Sequence, residues 1–168
     1  MKNHRTRGLV AIGIATVAAL IVTGTLIVPA LATPPSGVTT TVIGVGRFEV
    51  IDTKMKNDAW RGEIATKGES DLHVLQNTIA PGGTFGWHSH PGPSLVIVKS
   101  GTSTFYRGDD PTCTPQVHPA GSAYVDPGGV VHIARNEGAV DLVVIVTRLI
   151  PNGAAARIDE PDPGNCSF

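Results

Sequence analysis

The sequence predicts an all-β fold: one small antiparallel barrel or sandwich behind an N-terminal export or anchor segment. Three observations carry this. Beyond Thr40, short runs rich in Val, Ile, Thr and aromatic residues alternate with turn clusters. Gly (20) and Pro (13) are plentiful in the 168 residues, which suits short strands joined by tight turns. No stretch of the exported part keeps a helical period for long. The length suffices for one domain with a real core and is short for two.

Residues 1–7 are basic, 8–28 carry no charge, and Ala30-Leu31-Ala32 has the small-x-small form of a signal peptidase site. Residues 1–32 therefore read as a secretory signal cleaved after Ala32. The alternative is a membrane anchor over 8–28, since that run matches the ~20 residues a bilayer needs. Either way the domain lies on the exported side, because the positive charges stay inside. Localisation is thus expected to be secreted or extracytoplasmic, with membrane attachment only if the segment is retained.

Residues 33–44, rich in Pro, Thr, Ser and Gly at their start, read as a linker. The barrel is expected over 45–152 and an irregular tail over 153–168. One or two strands fall within Thr40–Ile51. Asp52–Glu69 is polar apart from Trp60 and reads as a loop or a helical turn. Asp71–Ala80 is a strand ended by Pro81-Gly82-Gly83, and Thr84–His90 follows. Leu95–Lys99 is a continuous apolar run of the kind that forms a buried strand. Thr102–Arg107, Gln116–Pro119, Ala123–Val125, Val130–Arg135 and Asp141–Ile150 complete the set, separated by turn residues.

The formal charge is −1, but Lys2, Arg5 and Arg7 sit in the leader. Without them, 10 Lys and Arg face 14 Asp and Glu, a balance of −4. With no basic cluster elsewhere, nucleic acid is excluded as a partner class.

His88 and His90 are two residues apart, so in an extended segment both imidazoles project to one face. His132 follows a Pro127-Gly128-Gly129 turn on a later strand. Three imidazoles on neighbouring strands can hold one divalent transition metal. By the same alternation, Phe85 and Trp87 point away from the metal. Tyr106 and Tyr124 are possible polar groups of a pocket, while His73 and His118 read as ordinary packed or surface histidines. Cys113 and Cys166 are the two cysteines of an exported chain, which implies a disulfide pinning the tail across the barrel.

These residues resemble the cupin superfamily, whose members are small jelly-roll barrels with a metal inside. Gly82, His88, His90 and Gly101 fall in register with the first cupin motif, although Ser94 stands where that motif has Glu. Gly121, Pro127, Gly129, His132 and Asn136 match the second motif at every position. More narrowly, the chain resembles small exported cupins of high-GC Gram-positive bacteria that end in Pro-Gly-Asn-Cys, here Pro163 to Cys166. The resemblance implies a single-domain jelly roll with a divalent metal, iron first and otherwise Zn, Mn, Ni or Cu, on His88, His90 and His132. It gives Asn136 a structural role and allows a homodimer.

Some cupin dioxygenases use three histidines without a carboxylate. The resemblance therefore implies a non-haem metal-dependent oxygenase acting on a small molecule. The alternatives are a non-enzymatic small-molecule-binding or sensing module, and a metal-assisted lyase or isomerase using a Tyr or a metal-bound water as base. Ser94 is a poor ligand for such an ion.

Overall fold

The computed structural model describes residues 31–168; of the signal or anchor segment expected over 1–32, all but Leu31 and Ala32 lies outside the described residues. Among the described residues there are twelve strands and no helix long and apolar enough to cross a membrane. The strands are β1 (Ser36–Phe48), β2 (Asp52–Lys56), β3 (Arg61–Ala65), β4 (Ser70–Thr84), β5 (His88–Ser89) and β6 (Ser94–Ser100). They continue with β7 (Thr102–Arg107), β8 (Gln116–Pro119), β9 (Ala123–Asp126), β10 (His132–Arg135), β11 (Leu142–Pro151) and β12 (Ile158–Asp159).

Ten of these form one antiparallel sheet folded on itself. One face runs β1-β4-β11-β6-β9 and the other β12-β5-β10-β7-β8; the two join where Arg135 of β10 pairs with Thr84 of β4. This is the jelly-roll barrel expected. A core of Ile79, Val96, Val98, Leu142, Val144 and Val146 packs in its interior. Leu142, Val144 and Val146 alternate along β11, so every second residue enters the interior.

Four expectations are corrected. The linker over 33–44 is strand from Ser36 onward. Its Thr- and Val-rich sequence suits extended backbone, and β1 pairs with β4 along its length while remaining largely exposed. Asp52–Glu69 holds the β2–β3 hairpin, set apart as its own two-stranded sheet. Its tip is organised by Asn57, whose side chain accepts from the Ala59 and Trp60 amides.

Third, β4 does not stop at Pro81. It continues to Thr84 through a register shift opposite Ser36/Val38, with Gly82 at φ 75° absorbing the irregularity. Finally, β6 is not buried on both faces: Val96 and Val98 point in, whereas Leu95 and Ile97 are 58% and 53% exposed.

The tail after Pro151 is mostly irregular, but it is not loose. β12 pairs with β5, Ala32 bridges Pro161, and the Glu160 amide donates to the Trp87 carbonyl. The Cys113–Cys166 disulfide is present, closing a sequence separation of 53 residues. Phe168 stacks on Trp87 and tilts against Tyr106, with the Arg135 guanidinium 3.9 Å from its ring centre. The tail thereby covers the outer side of the histidine-bearing strand β5.

Candidate metal centre

The barrel encloses a cavity of about 260 Å³. Its walls are mainly apolar, with Val38, Leu75, Phe85, Val96 and Phe105 among them. His88, His90 and His132 all line it, and all three are at least 95% buried. His88 and His132 face each other as cross-strand partners of β5 and β10. Alternation along the chain brings His90 to the same side, and one ligand atom from each ring lies within 4.8 Å of the others.

The hydrogen bonds determine which ring nitrogen is free. Nδ1 of His88 lies 2.8 Å from the Gly86 carbonyl, that of His90 2.8 Å from the Ala156 carbonyl, and that of His132 2.8 Å from the Val130 carbonyl. A carbonyl oxygen only accepts, so each Nδ1 carries the proton and each Nε2 offers a lone pair. Burial is the main force holding the three imidazoles neutral. It lowers His88 far below the ordinary histidine range, helped by the neighbouring His132 and Arg157. It takes His90 to about 3, with Arg148 and His132 adding to the effect, and lowers His132 against the opposing pull of Asp126.

A carboxylate reaches this cluster from a position the sequence reading passed over. Asp126 is 3% exposed, and its Oδ2 lies 3.5 Å from His90 Nε2 and 3.4 Å from His132 Nε2. Its other oxygen accepts from the Gly128 amide at 3.0 Å, forming the turn that leads into β10. Arg148 is the second omission. Its Nε donates to Ser94 Oγ at 2.9 Å and its Nη1 to the Ala156 carbonyl at 2.7 Å. Burial lowers this guanidinium to about 10. Alternation offered both residues: Asp126 shares parity with Tyr124, and Arg148 continues the inward series Leu142, Val144 and Val146.

Ser94 is itself buried and lines the cavity, but its hydroxyl is engaged by Arg148. Trp87 does point away from the histidines, into a separate cluster with Tyr106 and Ile133. Phe85 does not: its ring lies 5.9 Å from that of His88 and faces the cavity. The reason is Gly86, whose φ of 69° breaks strand alternation between the two aromatics. A Cβ there would come within 2.0 Å of the Thr33 carbonyl, so the chain entering the barrel also requires that glycine.

Tyr124 lines the cavity, shares a hydrogen bond with Ser103, and is pushed up to about 12 by burial. Tyr106 lies in the other cluster and donates to Glu137. His118 stacks on Tyr124 away from the three-histidine group. Asn136 has the structural role expected: its amide donates to the Ile79 and Val140 carbonyls, and its oxygen accepts from the Gly138 amide.

A two-faced antiparallel barrel with a histidine cluster in its mouth defines a jelly-roll protein built around an internal site. Residues 76–148 match the family model for the cupin domain, so this stretch of the chain carries a cupin domain. No curated protein matches it.

Similar solved structures include an uncharacterised protein with a double-stranded β-helix domain from Klebsiella pneumoniae. It is 20% identical over 76% of this chain and 86% of that one, with a TM-score of 0.47. A cupin-like protein from Thermotoga maritima is 21% identical over 54% and 65%, with a TM-score of 0.46. A salicylate 1,2-dioxygenase from Pseudoaminobacter salicylatoxidans is 13% identical over 46% and 20%, with a TM-score of 0.40. Likenesses this distant transfer no chemistry to this chain.

Proposed function

We propose that this is an exported metalloprotein whose His88, His90 and His132 hold a divalent transition ion. Its activity on this reading is that of a non-haem oxygenase on a small molecule. The observation that carries the reading is the convergence of three unprotonated Nε2 atoms in a buried cavity, with every Nδ1 committed to a carbonyl. Lone pairs so placed repel one another unless a cation lies among them. Imidazole donors suit iron, and otherwise Zn, Mn, Ni or Cu. Such an ion supplies Lewis acidity and, when redox-active, one-electron chemistry.

The chain's own residues do the rest. Phe85, Val96 and Phe105 make the cavity wall mainly apolar. Arg148 retains guanidinium N–H groups beyond the two it gives to Ser94 and Ala156, and it lines the same cavity. It would orient an anionic group on the bound molecule. The Tyr-base version of the lyase reading is disfavoured, because Tyr124 stays a neutral phenol at physiological pH.

The disulfide supports export, since such bonds persist in oxidising compartments. Elemental analysis of untagged protein, followed by oxygen uptake on a panel of small aromatic and thiol carboxylates, tests the proposal. Iron near unit occupancy with substrate-dependent uptake is expected. Tight binding of a panel compound without turnover would favour the sensing module, and no metal at all would end the metalloprotein reading.

A further inference from the structure

Three strands of the barrel carry one row of side chains. Arg148 of β11 is the cross-strand partner of Ser94 of β6, and Ser94 is the partner of Asp126 of β9. All three line the cavity. Ser94 occupies the place where the first motif has its carboxylate, but its oxygen is held by Arg148. The carboxylate that does approach the histidines stands one strand to the side. We infer that Asp126 is a fourth protein ligand of the metal, taking from the neighbouring strand the part that Ser94 cannot play. This rests on the three-histidine metal reading above.

The geometry discriminates against two simpler roles. As a turn residue, Asp126 needs only Oδ1, which accepts from the Gly128 amide. Oδ2 remains, aimed at His90 and His132. As the partner of an imidazolium it would need a second proton on a ring already protonated at Nδ1, which would place another cation beside Arg148 in the same buried cavity. Separations of 3.4 and 3.5 Å are also long for an N–H···O bond to a carboxylate.

The spacing instead suits two donors on one ion. Atoms each about 2.1 Å from a common centre stand about 3.4 Å apart when arranged tetrahedrally. A carboxylate oxygen and imidazole lone pairs, all acceptors converging on one cavity, are met together by a cation between them. Asp126 would also partly neutralise the ion's charge, beside an Arg148 that faces no carboxylate within 4.0 Å among the described residues.

Titration of the metal-free full-length protein with Co2+ in competition with a chromophoric chelator tests this. Asp126→Asn keeps the oxygen that accepts from Gly128 and removes the charge. It is expected to weaken Co2+ at least about tenfold and to change the visible spectrum of the bound ion. The metal-free variant is expected to melt at or above the wild-type temperature, because one of the mutually repelling acceptors has gone. Ser94→Glu combined with Asp126→Asn returns a carboxylate to the row and is expected to recover affinity.

Unchanged Co2+ affinity and spectrum in Asp126→Asn overturn the assignment. So does a metal-free variant melting well below wild type, which would mark a structural role. A double variant no tighter than Asp126→Asn overturns the exchange of places between 94 and 126. Wild-type protein that binds no Co2+ defeats the three-histidine reading itself, which is a different failure from wild-type binding with an indifferent Asp126.

Discussion

The two histidine-bearing stretches, 82–101 and 121–136, are built alike and furnished differently. Each opens on a glycine with positive φ, Gly82 and Gly121. Each turns a histidine so that Nδ1 meets the carbonyl two residues earlier, Gly86 for His88 and Val130 for His132. They part in what accompanies the histidines. The first offers a serine held by arginine, while the second brings a buried carboxylate to the cluster. They also end differently, the first at Gly101 and the second at Asn136. The difference teaches that a site is defined by rows across strands. A group missing from one motif can be supplied by the cross-strand neighbour without altering the spacing of either.

The largest expected effect tests the likeness. His88→Ala and His132→Ala should each weaken metal binding by at least about 100-fold, since loss of a ligand exceeds the 10–100-fold typical of its outer partners. Metal analysis after gel filtration checks this, and a variant of either stretch that keeps near-unit metal breaks the symmetry.

The closing residues sharpen the contrast. Asn136→Ala removes a buried hydrogen bond to the Ile79 carbonyl and two part-buried ones, to the Val140 carbonyl and from the Gly138 amide, and should cost about 1–3 kcal/mol in urea denaturation. Gly101→Ala places a methyl 2.7 Å from the Asp141 carbonyl at a φ of 73° and should cost about 1–3 kcal/mol. A Gly101→Ala variant indistinguishable from wild type would show that only the second closure matters.

Replacing Cys113 and Cys166 together by Ser should lower stability by about 2–4 kcal/mol. It should also raise amide exchange around His88 and His90 more than around His132, because the tail lies along β5. Equal exchange at both stretches would contradict that placement.

A smaller effect concerns acid. The unfolded chain takes up protons on His90 near 6.5, whereas the folded metal-free protein resists until about 3. The unfolded state therefore binds more protons in that window, and stability falls as pH drops below about 6.5. His88 and His132, also lowered, act in the same direction. The urea midpoint of metal-free protein should be lower near pH 5.5 than near pH 7.5; a midpoint that rises on acidification would show that the imidazoles are already charged.

Much of this was legible in the residues. The alternation of β-rich runs and turns carries the barrel, and two histidine spacings carry the cluster. What escaped has physical causes. The start of β1 resembles a linker because an exposed edge strand needs no apolar face, only a partner. The β2–β3 hairpin has almost nothing to bury. Phe85 defied alternation because one left-handed glycine resets it. Asp126 and Arg148 were hidden for another reason: each is charged, and a charge on an inward position becomes intelligible only when the opposing strands show what it faces.

The Ala156 carbonyl accepts from both His90 and Arg148. It lies 66 residues beyond the histidine it orients. The ribosome therefore makes the ligands first and their aiming device much later. Until the strand β11 and the segment after it have emerged and docked, His90 lacks the acceptor that sets its tautomer. Order of synthesis thus delays completion of the site, and a nascent or clipped chain ending before residue 156 would leave the His90 Nδ1 without this acceptor.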